Sequence, residues 1–253
     1  MTQTYDTKPG VKIPSREDSL PKRFYETVTV EGMADGFAIL LDGRAVKTPA
    51  RQSLSLPTQA AADLVAAEWA AQGERIDAPN MPVTRLVFVA LDRVSQVMDE
   101  TRAEIVKYAS TDLLCFRAPE PAELVAAQSA AWDPLFGWAE ETLDAHFAAA
   151  QGLMPIDQDP VALSQVLTAT HGLDHWTLTC LAHATAVCGS AILGLALLKG
   201  RINGGEAFTL STLDEHFQIS QWGEDHEAAE RLARLKTELE QVDALLRALA
   251  AQA

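Results

Sequence analysis

The chain has 253 residues, 48% of them apolar, with 35 Asp and Glu against 20 Lys and Arg for a formal net charge of −15. That length supports a sizeable core, divided more readily between two domains than held in one, and that apolar content excludes a disordered chain. An acidic surface repels phosphate backbones and argues against nucleic acid as a partner.

Residues 1–22 are polar and contain prolines, the pattern of a flexible arm. The period then changes to two. Phe24–Val30, Phe37–Leu41, Arg44–Pro49 and Ser53–Leu56 read as strands, with Glu31-Gly32 and Asp35-Gly36 as turn signals after the first and Asp42-Gly43 as a hairpin turn. Thr58 caps a predicted helix over Gln59–Gln72 with Ala62, Val65, Ala66 and Trp69 on one face. Helices follow over Thr84–Val94 and Asp99–Ala109, and Thr111–Arg117 reads as a strand returning to the sheet.

From Pro121 on, the pattern is helical. Predicted segments run Ala122–Ala131, a second from Pro134 to Ala149, Val161–Thr170, Trp176–Cys188 after an Asp174 cap, Ser190–Leu198 and Glu206–Gln221. The last helix comes after Gly223, with Ala228, Leu232, Leu235, Leu239, Val242, Leu246 and Leu249 forming one seam. Glu224, Asp225 and Glu227 sit at the positive end of its dipole. Glu227–Arg231, Glu230–Arg234 and Asp243–Arg247 are expected i,i+4 pairs. The expected fold class is α+β: a flexible arm (1–22), a small antiparallel sheet with helices (23–118), and a larger all-α domain (119–253).

The charge is uneven. Residues 1–57 carry eight Lys/Arg against seven Asp/Glu, residues 58–253 twelve against twenty-eight, and no Lys or Arg lies between Arg117 and Lys199. A basic partner protein and simple solubility both fit. Cys115, Cys180 and Cys188 sit in apolar runs, as reduced core residues of an intracellular protein do. The N-terminus lacks the apolar run of a secretory signal and mixes acids with bases. A bacterial cytoplasm is the expected address, or the mitochondrial matrix for a processed eukaryotic chain.

Chemistry finds little purchase. Trp176–Leu198 has the length of a membrane span, but its Ala, Gly, Thr and Ser content, His183 and the Gly189 break read as two buried helices; no membrane insertion is expected. His171 and His175 have a metal-like spacing broken by Gly172. His216 and His226 flank Trp222 among acids, an arrangement open to acid–base chemistry or to plain solvated helix ends. No phosphate loop, nucleophile elbow or dinucleotide fingerprint is present. No cofactor and no metal is expected, and binding is the favoured class over catalysis.

Several stretches in order carry a resemblance. They are Lys22-Arg23-Phe24-Tyr25; Asp42–Pro49; Glu68–Gln72 with Ile76, Pro79, Met81, Pro82 and Thr84; Thr111–Arg117; Trp132–Leu135; and Trp222-Gly223-Glu224-Asp225-His226-Glu227-Ala228. The set resembles the assembly chaperones of the F-type ATP synthase that act on its α subunit (the ATP-twelve family), from about Lys22 to the end. The resemblance implies a non-enzymatic, ATP-independent chaperone that binds the unassembled α subunit and prevents its aggregation until β takes its place. It implies a similar fold, and the absence of a leader favours a bacterial member.

On that basis the expected partner-binding residues are Trp222, Glu224, Asp225, Glu227 and Glu240, with acidic side chains steering toward a basic α surface. Glu240 lies beside the seam with only Lys236 a turn away, in the weaker charge order, so it is expected to be comparatively free. The plain alternative is a solvated surface Glu. Trp69 and Pro82 read as packing and helix-start residues, and Trp222 as a plug between the last two helices; exposure of a Trp would mark a contact surface instead. Two other functions stay open: a small-molecule enzyme using the His216–Glu227 acid/His cluster, and a scaffold dimerising through the last helix's seam. The free chain is expected to be a monomer with that seam buried internally.

Overall fold

The computed structural model describes residues 19–152, 154, 156–223 and 225–251, so most of the expected arm lies outside it. The arm's end is pinned rather than loose: Arg75 donates to the Leu20 carbonyl at 2.6 Å, and the Ile76 N–H donates to Pro21.

The N-terminal sheet is built around one strand. β1 (Val28–Met33) and β3 (Arg44–Ala45) flank β2 (Gly36–Leu41), and β4 (Ser55–Leu56) pairs with β2 as well, all antiparallel. Asp42 and Gly43 both have positive φ (47° and 76°), as a tight hairpin turn matching strand twist requires. The Asp42 carboxylate also accepts from the Thr27 N–H at 2.8 Å, which delays β1 to Val28 and leaves Phe24 outside it. Gly36 must stay glycine, because a Cβ there would lie 2.3 Å from the Leu56 carbonyl oxygen.

α1 (Gln59–Ala70) starts as predicted: the Thr58 hydroxyl accepts from the Ala61 N–H. The same hydroxyl donates to the Ala248 carbonyl at 2.7 Å, joining the first helix's start to the last helix's end. Trp69 is buried against Tyr25, whose hydroxyl donates to the Trp69 carbonyl. α2 (Pro82–Asp92) has no cap of its own; Glu68 supplies one, accepting from the N–H groups of Val83 and Thr84 and from the Thr84 hydroxyl. α3 (Met98–Ser110) is the next helix.

Beyond α3 the fold departs from three expectations. Thr111–Arg117 does not rejoin the N-terminal sheet. Asp112 caps a single 3-10 turn at Leu113–Cys115, leaving only β5 (Phe116–Arg117), which pairs in parallel with β6 (Ala150–Gln151). The two helices expected around Pro134 are one, α4 (Ala122–Leu143), with the proline inside. One missing N–H costs about 3 kcal/mol, less than the apolar face it would split. On that face Leu124, Trp132, Leu135 and Ala139 are all buried. The helix expected over Glu206–Gln221 is two, α8 (Gly204–Ser211) and α9 (Leu213–Trp222), parted at Thr212.

α5 (Pro160–Thr170), α6 (His175–Cys188) and α7 (Ala191–Leu198) are capped by Asp159, Asp174 and Ser190. Gly189, at φ 64°, turns α6 into α7, which is buried along almost its whole length. No helix among the described residues is long and apolar enough to cross a membrane. α10 (His226–Ala250) closes the fold. Its seam packs inward: Leu232, Leu239, Val242 and Leu246 are buried in one apolar cluster that also holds Ile39, Val65, Trp132 and Leu193. The architecture is α+β, a small antiparallel sheet with helices followed by a larger all-helical region.

Candidate functional site

The acidic, Trp-containing corner between α9 and α10 is assembled by a short break. Gly223 takes φ 90°, which lets the chain leave α9 immediately after Trp222 and restart within three residues. Asp225 is the N-cap of α10, its carboxylate accepting from the Ala228 N–H at 3.2 Å. That bond satisfies one of the free donors every helix start carries. Glu227 stands in the first turn, exposed at the positive end of the dipole. Glu224 lies outside the described residues.

Trp222 does not plug the junction. It is 82% exposed at the end of α9, while the junction is held by an Arg231–Glu215 ion pair across the two helices. Arg231 therefore turns to Glu215 rather than to the expected Glu227. A short, paired α9–α10 contact leaves no apolar slot for the indole, so the ring projects into solvent. Tryptophan is one of the residue types enriched among interface hot spots.

Glu240 belongs to a different place. It stands about 20 Å further along α10 at 1.5 Å per residue, so Trp222, Asp225 and Glu227 come together and Glu240 does not. Its carboxylate is 3.9 Å from the Lys236 ammonium, a loose exposed pair rather than full freedom. Beneath it α10 crosses the start of α8 at close range. A Cβ on Gly204 would lie 2.5 Å from the Leu239 carbonyl oxygen and 2.7 Å from the Glu240 Cα. The Gly204 N–H donates to Asp243 at 3.0 Å, and Asp243 also pairs with Arg247. Glu230–Arg234 and Asp243–Arg247 form as predicted, so the exposed face of α10 carries paired charge more than a continuous acidic strip.

The histidine cluster does not assemble. His216 packs its ring edge-on against Phe208, and His226 pairs with Glu230 at 3.4 Å. No group of three or more His, Cys, Asp or Glu among the described residues is placed to hold a metal. The three cysteines are buried, and burial pushes each thiol up to about 12, which makes them inert packing residues. Sequence reasoning missed one polar pair in the helical region, His183 of α6 with Glu238 of α10, 3.3 Å apart. Burial holds the imidazole below its ordinary value despite the carboxylate beside it. Nothing in either residue's local sequence points to the other.

Similarity to known proteins decides the family. Residues 22–140 match the family described as ATP12 chaperone protein. The solved Atp12 of Paracoccus denitrificans is 38% identical over 90% of this chain and 98% of its own, with a TM-score of 0.83. The chain belongs to the ATP12 chaperone family. A solved Agrobacterium tumefaciens protein is 40% identical over 91% of this chain and 87% of its own, with a TM-score of 0.85. The mitochondrial protein atp12 of Schizosaccharomyces pombe is 25% identical over 239 residues, 89% of this chain and 81% of that protein. Membership of this family makes the chain a chaperone rather than an enzyme.

Proposed function

We propose that this chain is an ATP-independent chaperone that binds the unassembled α subunit of the F-type ATP synthase, in a bacterial cytoplasm, and keeps it from aggregating until β takes its place. The observation that carries the reading is the exposed Trp222, set beside Asp225 and Glu227 in a fold shared with Atp12. A free subunit exposes the apolar surface meant for its neighbour. A holder must cover that surface and leave again, which suits one aromatic anchor with a polar acidic rim better than a wide apolar face. Glu240 is a second contact in this reading, just past the middle of α10.

The seam-dimer alternative loses its surface, because Leu232, Leu239 and Leu246 of the seam are buried inside the chain and Leu235 and Leu249 pack against the same cluster. The enzyme alternative loses its cluster, because His216 and His226 have separate neighbours.

Co-expression with α or β alone, followed by capture of the tagged chain, tests the proposal. α should be retained and β should not. Trp222→Ala should weaken α retention about tenfold or more with an unchanged melting temperature, as a buried-on-binding aromatic does. Glu240→Lys should weaken it several-fold, less in high salt. Retention of neither subunit sinks the reading, and full retention by Trp222→Ala removes the corner from the interface.

A further inference from the structure

Arg85 stands where three surface depressions meet. One, of about 200 Å³, lies between α2, α6 and α10 against Leu86, Val89, His183 and Glu238. A second, of about 400 Å³, runs along α2 and α10 past Asn80, Ala233 and Thr237. A third, of about 470 Å³, is walled by Pro49, Met81 and Phe88. With the Arg85 side chain common to all three, they form one branched groove where the N-terminal sheet and its helices adjoin α10.

One wall is a stripe of α2. Pro82, Arg85, Leu86 and Val89 keep the i, i+3, i+4, i+7 spacing of a single helix face. Leu86 is buried, while Val89 is 45% exposed at the mouth. The opposite wall is anchored at one point, where Glu238 is tied to His183 on α6, while Arg234 keeps only a loose exposed pair with Glu230 at 3.9 Å. The start of α2 is held more firmly, since Glu68 accepts three hydrogen bonds from its first turn. A groove that is already organised loses little on filling.

The charges inside it are unequally committed. Glu238 and Arg234 have partners, whereas the Arg85 guanidinium makes no hydrogen bond or ion pair within the described residues and feels the Glu68 carboxylate only from a distance. An exposed guanidinium beside an apolar trough complements a carboxylate beside an apolar side chain, because its fork binds carboxylate with two parallel bonds.

We propose that this groove docks an acidic–apolar segment of the client polypeptide, with the client's carboxylate on Arg85 and its apolar side chain against Leu86 and Val89. The inference rests on the chaperone reading above and adds a surface that does not include Trp222. It also gives an acidic chaperone a cationic foothold, opposite in sign to the α10 corner, so that the client is oriented by two unlike contacts.

The test is α-subunit binding to the full chain carrying Arg85→Glu or Val89→Asp, with thermal melting recorded for each. Both side chains are exposed, so melting should stay within a few degrees of the wild type. Affinity for α should fall about tenfold or more with either substitution. If Val89→Asp melts low, the isosteric Val89→Thr should still weaken binding about threefold. Unchanged affinity in both positions, with wild-type binding intact, overturns the groove and leaves the chaperone reading standing. Loss at only one position overturns the paired acidic–apolar occupant. A wild-type chain that fails to bind α overturns the function and this occupant together.

Discussion

Gly204→Ala should lower the stability of the chain by about 3 kcal/mol, or roughly 6–12 °C in melting temperature, although it adds a single methyl to a helix. On propensity alone the change would stabilise, since alanine is the better helix former by about 1 kcal/mol. The close crossing reverses the sign. The new Cβ would lie 2.5 Å from the Leu239 carbonyl oxygen, 2.7 Å from the Glu240 Cα and 2.8 Å from the Glu240 nitrogen. All three are backbone atoms, so no rotamer change relieves the overlap; α10 must move away from α8.

The neighbouring glycine is the internal control. A Cβ on Gly205 meets nothing nearer than the Asn203 Oδ1 at 3.3 Å and the Glu240 Oε1 at 3.9 Å. Gly205→Ala should therefore be near neutral, within about 1 kcal/mol in either direction. Differential scanning calorimetry of the two variants separates a packing effect from a propensity effect. Equal melting temperatures would mean that α10 does not sit this close to α8. The proposed Glu240 contact with α rests on the same crossing, because displacing α10 shifts Glu240 and loosens the Gly204–Asp243 hydrogen bond. Gly204→Ala should thus weaken α binding at temperatures where it remains folded, and Gly205→Ala should not.

Features set by neighbours in sequence are legible from the residues alone. Asp42-Gly43 turns a hairpin because two positive φ values in a row select those residues, and Thr58 and Asp174 cap because a short side chain reaches back to the helix start, whereas Ser190, read as the first residue of its helix, is its cap. The α10 seam is legible for the same reason, as a repeat within one helix. Features set by distant chain are not. Pro134 looks like a helix start locally, yet the buried side chains on both sides carry the helix through it. Thr111–Arg117 reads as a strand from its short apolar run, but only Phe116–Arg117 pairs, with Ala150–Gln151, which no local pattern announces. The site divides along that line. Asp225 as a cap is readable, whereas the exposure of Trp222 depends on how tightly Arg231 and Glu215 close the corner. The separation of Glu240 from that corner is a matter of helix length. Its crossing with Gly204 needs the fold.

Asp112→Ala is the second large effect, and its size should depend on pH. The carboxylate is wholly buried between the end of α3 and the start of α7, accepting from the Leu114 N–H at 3.1 Å and the Ile192 N–H at 3.0 Å. Removing it strands buried backbone donors, those of Leu114 and Ile192 among them, where the end of α3 meets the start of α7. The cost at pH 7 should be about 2–3 kcal/mol. Burial pushes the Asp112 carboxyl up to about 6 from 3.8, with the Ile192, Ser190, Leu114 and Ala191 bonds opposing the rise. Between those two values the folded chain holds a proton that the unfolded chain has lost, so stability from this group falls as pH rises through the window. It is greatest below 3.8 and levels off above 6. The wild-type advantage over Asp112→Ala should therefore be larger at pH 4.5 than at pH 7.5, by on the order of 1–2 kcal/mol. Other carboxylates titrate in both proteins and cancel in the difference. Urea unfolding of the pair across pH 4.5–7.5 reads the effect directly. A gap that widened toward high pH instead would show that the backbone donors outweigh burial, making Asp112 an ordinary stabilised anion.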